Sequence, residues 1–327
     1  MSKKILITGI SGFIGRNVLR LLIQKNHEIT AIVRPNTNPV RIEEFENQIE
    51  LVEIDLADIQ KLKDYLEKNS FETIIHIGAI RGGRKFSKSD YFDANVNATE
   101  QLAINAKSND SELIFCSSVG VFGVIPLELP ANNFTKRQPD NYYHLTKIRA
   151  ELIIQKYILY GLNAAIIRPS ITYGIGDYGF PYTLIKLVDK RLMFLPDRDV
   201  IIHLASVELV SQAFIKLIET DFKQGVAYNV ADKEPVELHK LVNFINTELK
   251  GKSYSNKRSI DLKYFQYGEK IARFFKNETW IARFELISKS WYYNTINTYD
   301  DLSLKPTETI PNFKAVIDWY KRYISKS

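Results

Sequence analysis

The sequence predicts an α/β fold: a doubly wound parallel sheet with a smaller C-terminal substrate-binding domain. Three observations lead there. Short apolar runs alternate with helical patterns through the first half of the chain. Those runs are apolar on both faces, as expected for strands covered by helices on each side. The alternation then stops near residue 168 and gives way to a stretch rich in Gly, Pro and Tyr.

The first strand is KILIT (4–8) and the first helix spans 13–26, with apolar residues at helical spacing. Strands follow at EITAIV (28–33) and IELVEI (49–54), then a helix over 58–69 with an Asp at its start. TIIHIG (73–78), ELIFCS (112–117) and NAAIIR (163–168) are three more strands, separated by long helices near 89–108 and 142–160. After Arg168, PSITYGIGDYGFPY reads as a functional loop. A helix over 206–219, a strand at 227–231 and a helix near 236–249 come next. The tail from about 251 reads as irregular and aromatic until a final helix over 313–324. The expected division is 1–168 for a nucleotide-type domain, with a return of the chain near 204–231, and 169–203 plus 232–327 for the substrate-binding cap.

Bulk properties narrow the class. At 327 residues the chain is long enough for one large domain or two coupled ones. No apolar run approaches the roughly 18–20 residues of a membrane span. The first strand starts at Lys4, which leaves no room for a signal peptide before it. Cys116 is the single cysteine and excludes an internal disulfide, so a reducing, cytoplasmic setting is expected, with no membrane partner. A net charge of +6 with scattered cations fits an anionic ligand better than nucleic acid. No cluster of His, Cys and carboxylates has metal-ligand spacing. His76 and His144 read as ordinary structural histidines.

TGISGFIG places Gly9, Gly12 and Gly15 between the first strand and the first helix, with Ser11, Phe13 and Ile14 between and beside them. A turn this tight brings backbone N–H groups and the helix N-terminus up to a pyrophosphate, the signature of a Rossmann dinucleotide fold. The literal G-x-G-x-x-G pattern recurs as GIGDYG (174–179), but Pro181 follows and no βαβ unit continues from it. That stretch is expected to be a mobile substrate loop. Where an acidic residue would bond the ribose of NAD, the second strand ends in Arg34. Arginine clamps a 2′-phosphate, so NADP(H) is the expected cofactor, with NAD(H) as the alternative.

NYYHLTK (141–147) holds the candidate proton donor. Residues four apart share a helix face, which pairs Tyr143, not Tyr142, with Lys147. An adjacent ammonium is expected to lower the phenol's pKa toward working pH. In CSSVGVFG (116–123) the serines stand where a strand ends on the ligand crevice, positioned to bond a reacting oxygen.

TGISGFIG, VEIDLAD, HIGA, DANVNATEQL, SSVGVFG, YHLTK and RPSITYG occur in that order. Together they resemble the extended short-chain dehydrogenase/reductases, in the NAD-dependent epimerase/dehydratase group, over nearly all of the chain. Phe122 stands where the family's serine motif has Tyr. The resemblance implies Ser118 as the catalytic serine beside Ser117, with Tyr143 and Lys147 completing the set. It also implies Asp55 and Leu56 at the adenine, Ala79 along the phosphates and ribose, and Asn95 bracing the site. Pro169 and Ser170 would lie at the carboxamide edge. The implied chemistry is hydride exchange between a nicotinamide and a carbonyl/alcohol pair, with Tyr143 moving the proton. The dehydratases' Asp-Glu pair is replaced by Val119 and Gly120, which argues against elimination.

Nucleotide sugars are the group's commonest substrates. Arg81 and Arg84, with Lys85 and Lys88, form a basic loop on the crevice side, and Tyr173 and Arg198 are further candidate substrate contacts. Ile171 replaces an Asn usual in the epimerases, which leaves room for another carbonyl substrate. The reading is an NADP(H)-dependent reductase of a nucleotide-activated deoxysugar. The alternatives are a 4-epimerase with bound NAD, a reductase of a non-sugar aldehyde or ketone, and a catalytically silent NAD(P)-binding protein. The resemblance also implies a homodimer through the helices at 89–108 and 142–160.

Overall fold

The computed structural model describes residues 2–81 and 86–324. In chain order the first elements are β1 (Lys4–Thr8), α1 (Phe13–Ile23), β2 (Glu28–Val33), β3 (Glu50–Glu53), α2 (Ile59–Leu66), β4 (Thr73–His76) and α3 (Lys88–Phe92). A π-helical turn, Asp93–Asn97, joins α3 to α4 (Ala98–Ser108). Then come β5 (Glu112–Cys116), a short 3₁₀ turn (Val119–Phe122), α5 (Tyr142–Leu159), β6 (Asn163–Pro169), β7 (Ile171–Tyr173) and α6 (Phe180–Asp189). The rest comprises β8 (Leu195–Pro196), β9 (Ile201–Ile202), β10 (Leu204–Ser206), α7 (Val207–Glu219), β11 (Ala227–Val230), β12 (Val236–Glu237) and α8 (Leu238–Lys250). The chain closes with β13 (Ser259–Ile260), α9 (Leu262–Phe274), α10 (Glu278–Ser288), α11 (Ile296–Leu302) and α12 (Thr309–Ile324).

Among the described residues, seven strands form one parallel sheet in the order β11-β6-β5-β4-β1-β2-β3. The order reverses between β1 and β4, and in such sheets ligands bind in the crevice outside the strand ends at that reversal. Thr8 is level with both Ile32 and His76, so the ends of β1, β2 and β4 finish on one line.

Apolar runs on both faces find a partner on each side. Ile5 and Ile7 pack with Val18, Leu22, Leu209 and Val210 of α1 and α7. Leu6, between them, packs with Leu62, Leu102 and Ile154 of α2, α4 and α5 on the opposite face. A third apolar cluster draws on α6, α8 and α12 together with Trp291, Tyr293 and the 3₁₀ turn.

The tail departs from expectation. It was to be irregular between about 251 and 313, and it contains α9, α10 and α11. Asp261 caps α9 by accepting from Lys263 N at 2.8 Å, and Asn277 caps α10 by accepting from Trp280 N at 3.1 Å. Phe265 and Ala272 are the buried side of α9, while Tyr264, Tyr267 and Phe274 face outward. That outward aromatic face blurs the period a sequence reading looks for. Among the described residues no helix is long and apolar enough to cross a membrane.

Candidate active site

The glycine turn is shaped by contacts that admit no side chain. Gly9 has φ +83°, and a Cβ there would meet Gly78 N at 2.5 Å. A Cβ on Gly15 would lie 2.2 Å from the Gly9 carbonyl oxygen. The turn therefore presses backbone against backbone at the β1/β4 reversal. α1 starts from Gly12 with no side-chain cap and no acidic residue in its first turn. Its first N–H groups are left for a ligand, and a diphosphate suits them by charge and donor geometry. Ser11, Phe13 and Ile14 are half-buried along this cradle.

Thr8, at the end of β1, ties the crevice floor to the neighbouring helix. Gly78 N donates to the Thr8 hydroxyl at 3.0 Å, and that hydroxyl lies 2.8 Å from His76 Nδ1. His76 Nε2 is 3.0 Å from the Thr99 hydroxyl, which itself donates to Asn95 O at 2.8 Å. The Thr99 proton is thus already placed, so His76 Nε2 donates and Nδ1 accepts from Thr8. Burial pushes His76 down to about 3, which keeps it neutral. Asn95 is buried, bonds Ile80 through both its N–H and its C=O, and donates to the Thr146 hydroxyl at 3.0 Å. It holds the chain leaving β4 against α5.

Lys147 is buried and donates from Nζ to Cys116 O at 2.8 Å, with its ammonium 4.7 Å from the Phe115 ring centre. Burial pushes it down to about 8. The same burial pushes the Cys116 thiol up to about 11, so Cys116 is a packed thiol and not a thiolate. Burial also pushes the Tyr143 phenol up to about 12, while the Arg81 guanidinium pulls it down. This corrects the expected direction. Lys147 was to lower Tyr143, but removal of the phenol from water outweighs the charges around it.

Ser118 caps the 3₁₀ turn, its hydroxyl oxygen accepting from Gly120 N at 3.0 Å, which leaves its proton to donate outward. Ser117 is buried with its hydroxyl unpartnered among the described residues, at the end of β5 where a ligand would meet it. A Cβ on Gly120 would lie 2.4 Å from His144 Nε2. The imidazole thus fills the space that a side chain at 120 would need.

Other expected residues fall as follows. Arg34 is exposed beyond β2, its guanidinium 5.9 Å from the Phe86 ring centre. Asp55 accepts from Ala57 N at 3.0 Å, and Asp58, not Asp55, caps α2. Leu56 is buried against Gly78, and Ala79 is half-buried just beyond it. Pro169 ends β6, paired with Val230, and the Ser170 hydroxyl donates to His203 O. Arg81 is exposed, close enough to lower Tyr143, Cys116, His144 and Asp177. Arg198 is exposed in the turn after β8. Arg84, with Lys85, lies outside the described residues.

Tyr173 is a correction. It was expected to touch substrate, but it is buried beside Phe313 and its hydroxyl donates to Asp232 at 2.8 Å. Asp232 also accepts from Ser206 N, Thr307 and Thr309, which makes Tyr173 part of a buried polar knot. The GIGDYG stretch lies over the first turns of α1, where the Cβ positions of Gly174 and Gly176 approach Phe13 and Arg16 at 3.0 and 3.5 Å.

Sequence reasoning missed the anchor beneath α5. Glu151 is buried and takes two bonds from Arg168, at 2.8 and 2.7 Å, and a third contact from Arg137 at 2.8 Å. Arg168 also donates to Asn133 Oδ1 at 2.8 Å and lies 5.2 Å from the Phe122 ring centre. Glu151 stands four residues past Lys147, so one turn of α5 carries both the lysine and this buried carboxylate. A charged residue interrupting an apolar helix face was the available signal.

A family model for the NAD dependent epimerase/dehydratase family matches residues 5–231. Sterol demethylase protein B of Methylococcus capsulatus is 25% identical over 63% of this chain and 65% of its own. GDP-6-deoxy-D-talose 4-dehydrogenase of Aggregatibacter actinomycetemcomitans is 27% identical over 63% of this chain and 64% of its own. The chain therefore spans slightly under two thirds of either relative. The Bordetella bronchiseptica enzyme WbmG, solved in complex with NAD and UDP, superposes with a TM-score of 0.78 at 14% identity, covering 99% of this chain and 96% of that one. That likeness is one of fold.

Proposed function

The chain belongs to the NAD-dependent epimerase/dehydratase family, and within it we propose an NADP(H)-dependent reductase of a carbonyl on a nucleotide-activated deoxysugar. The observation that carries this reading is that Lys147 of α5 donates from Nζ to Cys116 O at 2.8 Å, which ties the helix bearing Tyr143 and Lys147 to the end of β5 just before Ser118, across the reversal from the glycine turn. A nicotinamide dinucleotide bound at that turn supplies hydride chemistry. Gly9, Gly12 and Gly15 give its diphosphate the backbone of α1, and Arg34 gives a 2′-phosphate its cation. Lys147, anchored on Cys116 O, is set to reach a ribose. The unpartnered Ser117 hydroxyl is a donor toward the same ligand.

Tyr143, pushed up to about 12, stays protonated at neutral pH. It therefore carries a proton that it can give to a developing alkoxide. Ser118 donates its free hydroxyl proton to the same oxygen. Arg81 offers a cation to a diphosphate or sugar. The 4-dehydrogenase relative supports a nucleotide-linked deoxysugar. In this reading residues 1–168 and 204–231 hold the cofactor, 169–203 and 232–327 hold the substrate, and two copies pair through α4 and α5.

The test is NADPH oxidation with a panel of 4-keto nucleotide sugars. Tyr143→Phe should cut turnover by about 10²–10⁴ while leaving NADPH affinity unchanged. Turnover within about tenfold of the parent would overturn the proton-donor role. NAD that co-purifies tightly, with sugar epimerised and no net NADPH consumed, would replace the reductase by a 4-epimerase.

A further inference from the structure

α9 and α10 form a hairpin with two working faces. The inner face is close-packed: a Cβ on Gly268 would lie 2.5 Å from the Phe284 ring. The acids of the hairpin's inner side are satisfied within it. Arg273 bonds Glu269 and Glu285 at 2.8 Å, and Lys289 lies 3.0 Å from both.

The outer face is apolar. Tyr264, Tyr267, Ile271 and Phe274 follow spacings of three, four and three, which puts them within roughly 80° of one another around the helix. All four are exposed, Ile271 by 60% and Phe274 by 81%. Phe275, 73% exposed and edge-on to Phe274, and Trp280, 50% exposed, are the next exposed apolar side chains through the turn and into α10. Singly exposed apolar side chains are ordinary, but six in one contiguous hairpin are not.

The charges beside this stripe select its occupant. Lys263 and Lys270 flank it on α9, Lys276 sits at the turn, and Arg283 follows on α10. Lys270, Lys276 and Arg283 have no acidic partner within 4 Å among the described residues, and the nearby Glu269 and Glu285 face inward. Three of the four cations lie over their own ring neighbours, Lys263 over Tyr264, Lys270 over Tyr267 and Arg283 over Trp280, at 5.0–5.9 Å. A second copy of the stripe would set cations against cations. Tyr and Trp at the edge, Ile and Phe at the crest and lysines beside them suit a boundary between water and acyl chains under anionic headgroups.

We propose that the α9–α10 hairpin docks this protein on an anionic lipid surface, with Ile271, Phe274 and Phe275 entering the headgroup boundary. The expectation of no membrane partner rested on the lack of a spanning run, and surface docking revises it.

The test is co-sedimentation of the full chain with vesicles of phosphatidylcholine alone or with 30% phosphatidylglycerol (about a third anionic lipid, enough for a strong surface potential). The protein should sediment with the anionic vesicles and far less with the neutral ones, and more weakly as salt rises. Lys270→Glu/Lys276→Glu should lower partitioning tenfold or more, since each lysine near such a surface adds about fivefold. Phe274→Ser/Phe275→Ser should abolish it while leaving the protein folded. No sedimentation of the parent at low salt would overturn the proposal, as would undiminished binding by both variants. Conversion of an oligomer to monomers by Phe274→Ser/Phe275→Ser would also overturn it, in favour of a protein partner.

Discussion

The sheet and the hairpin use apolar residues to opposite ends. In β1, Ile5, Leu6 and Ile7 are wholly buried, and each side chain has a helix to meet. In α9, the residues at helical spacing are split between a buried side and an outward stripe. The first arrangement is what a fold requires. The second contributes little to folding, because its rings stay in water, and it makes sense as a surface meant for something else. Apolar patterning therefore predicts an element only where one face alone is apolar or both faces are covered.

That contrast can be broken by experiment. The largest effect is expected inside, at Glu151. Glu151→Gln leaves the Arg168 charge buried without its counter-ion, and stability should fall by about 3–5 kcal/mol in urea unfolding. A loss below about 1 kcal/mol would mean that Arg168 relaxes to solvent. Gly15→Ala comes next. Its Cβ has nowhere to go but the Gly9 carbonyl, so the turn must open, at about 1–3 kcal/mol. Dinucleotide affinity should fall in the same variant, read by fluorescence titration with NADPH. Unchanged stability and affinity would show that the cradle is not held by this contact. The smallest effect belongs to the hairpin. Phe274→Ser/Phe275→Ser should change stability in solution by no more than about 0.5 kcal/mol. A loss of about 2 kcal/mol or more would mean that these rings are covered in solution, and the two regions would then follow one rule.

Legibility along the chain follows the range of the interaction involved. The strands at 4–8, 28–33 and 163–168 were readable because a short unbroken apolar run is a property of a few adjacent residues. The glycine turn was readable for a similar reason, since its spacing reports a local backbone path. Besides the helices of the tail, three features around the site were not readable. Tyr173 sits in a motif beside the crevice, yet Asp232, 59 residues away, takes its hydroxyl. Glu151, Arg168, Arg137 and Asn133 come from separate segments, and nothing in any one of them announces the others. The direction of the Tyr143 shift depended on how much water the fold excludes, which helical spacing does not report.

The sequence by itself determined the family pattern, the parallel sheet and the placing of Tyr143 and Lys147 one turn apart on a single helix, because each rests on short-range periodicity. Tertiary structure alone decided that Lys147 is held by the Cys116 carbonyl, that Tyr143 stays protonated, and that the last third of the chain turns an aromatic and basic face outward. Those outcomes depend on which distant groups exclude water from a side chain, and burial of that kind exists only once the chain has folded.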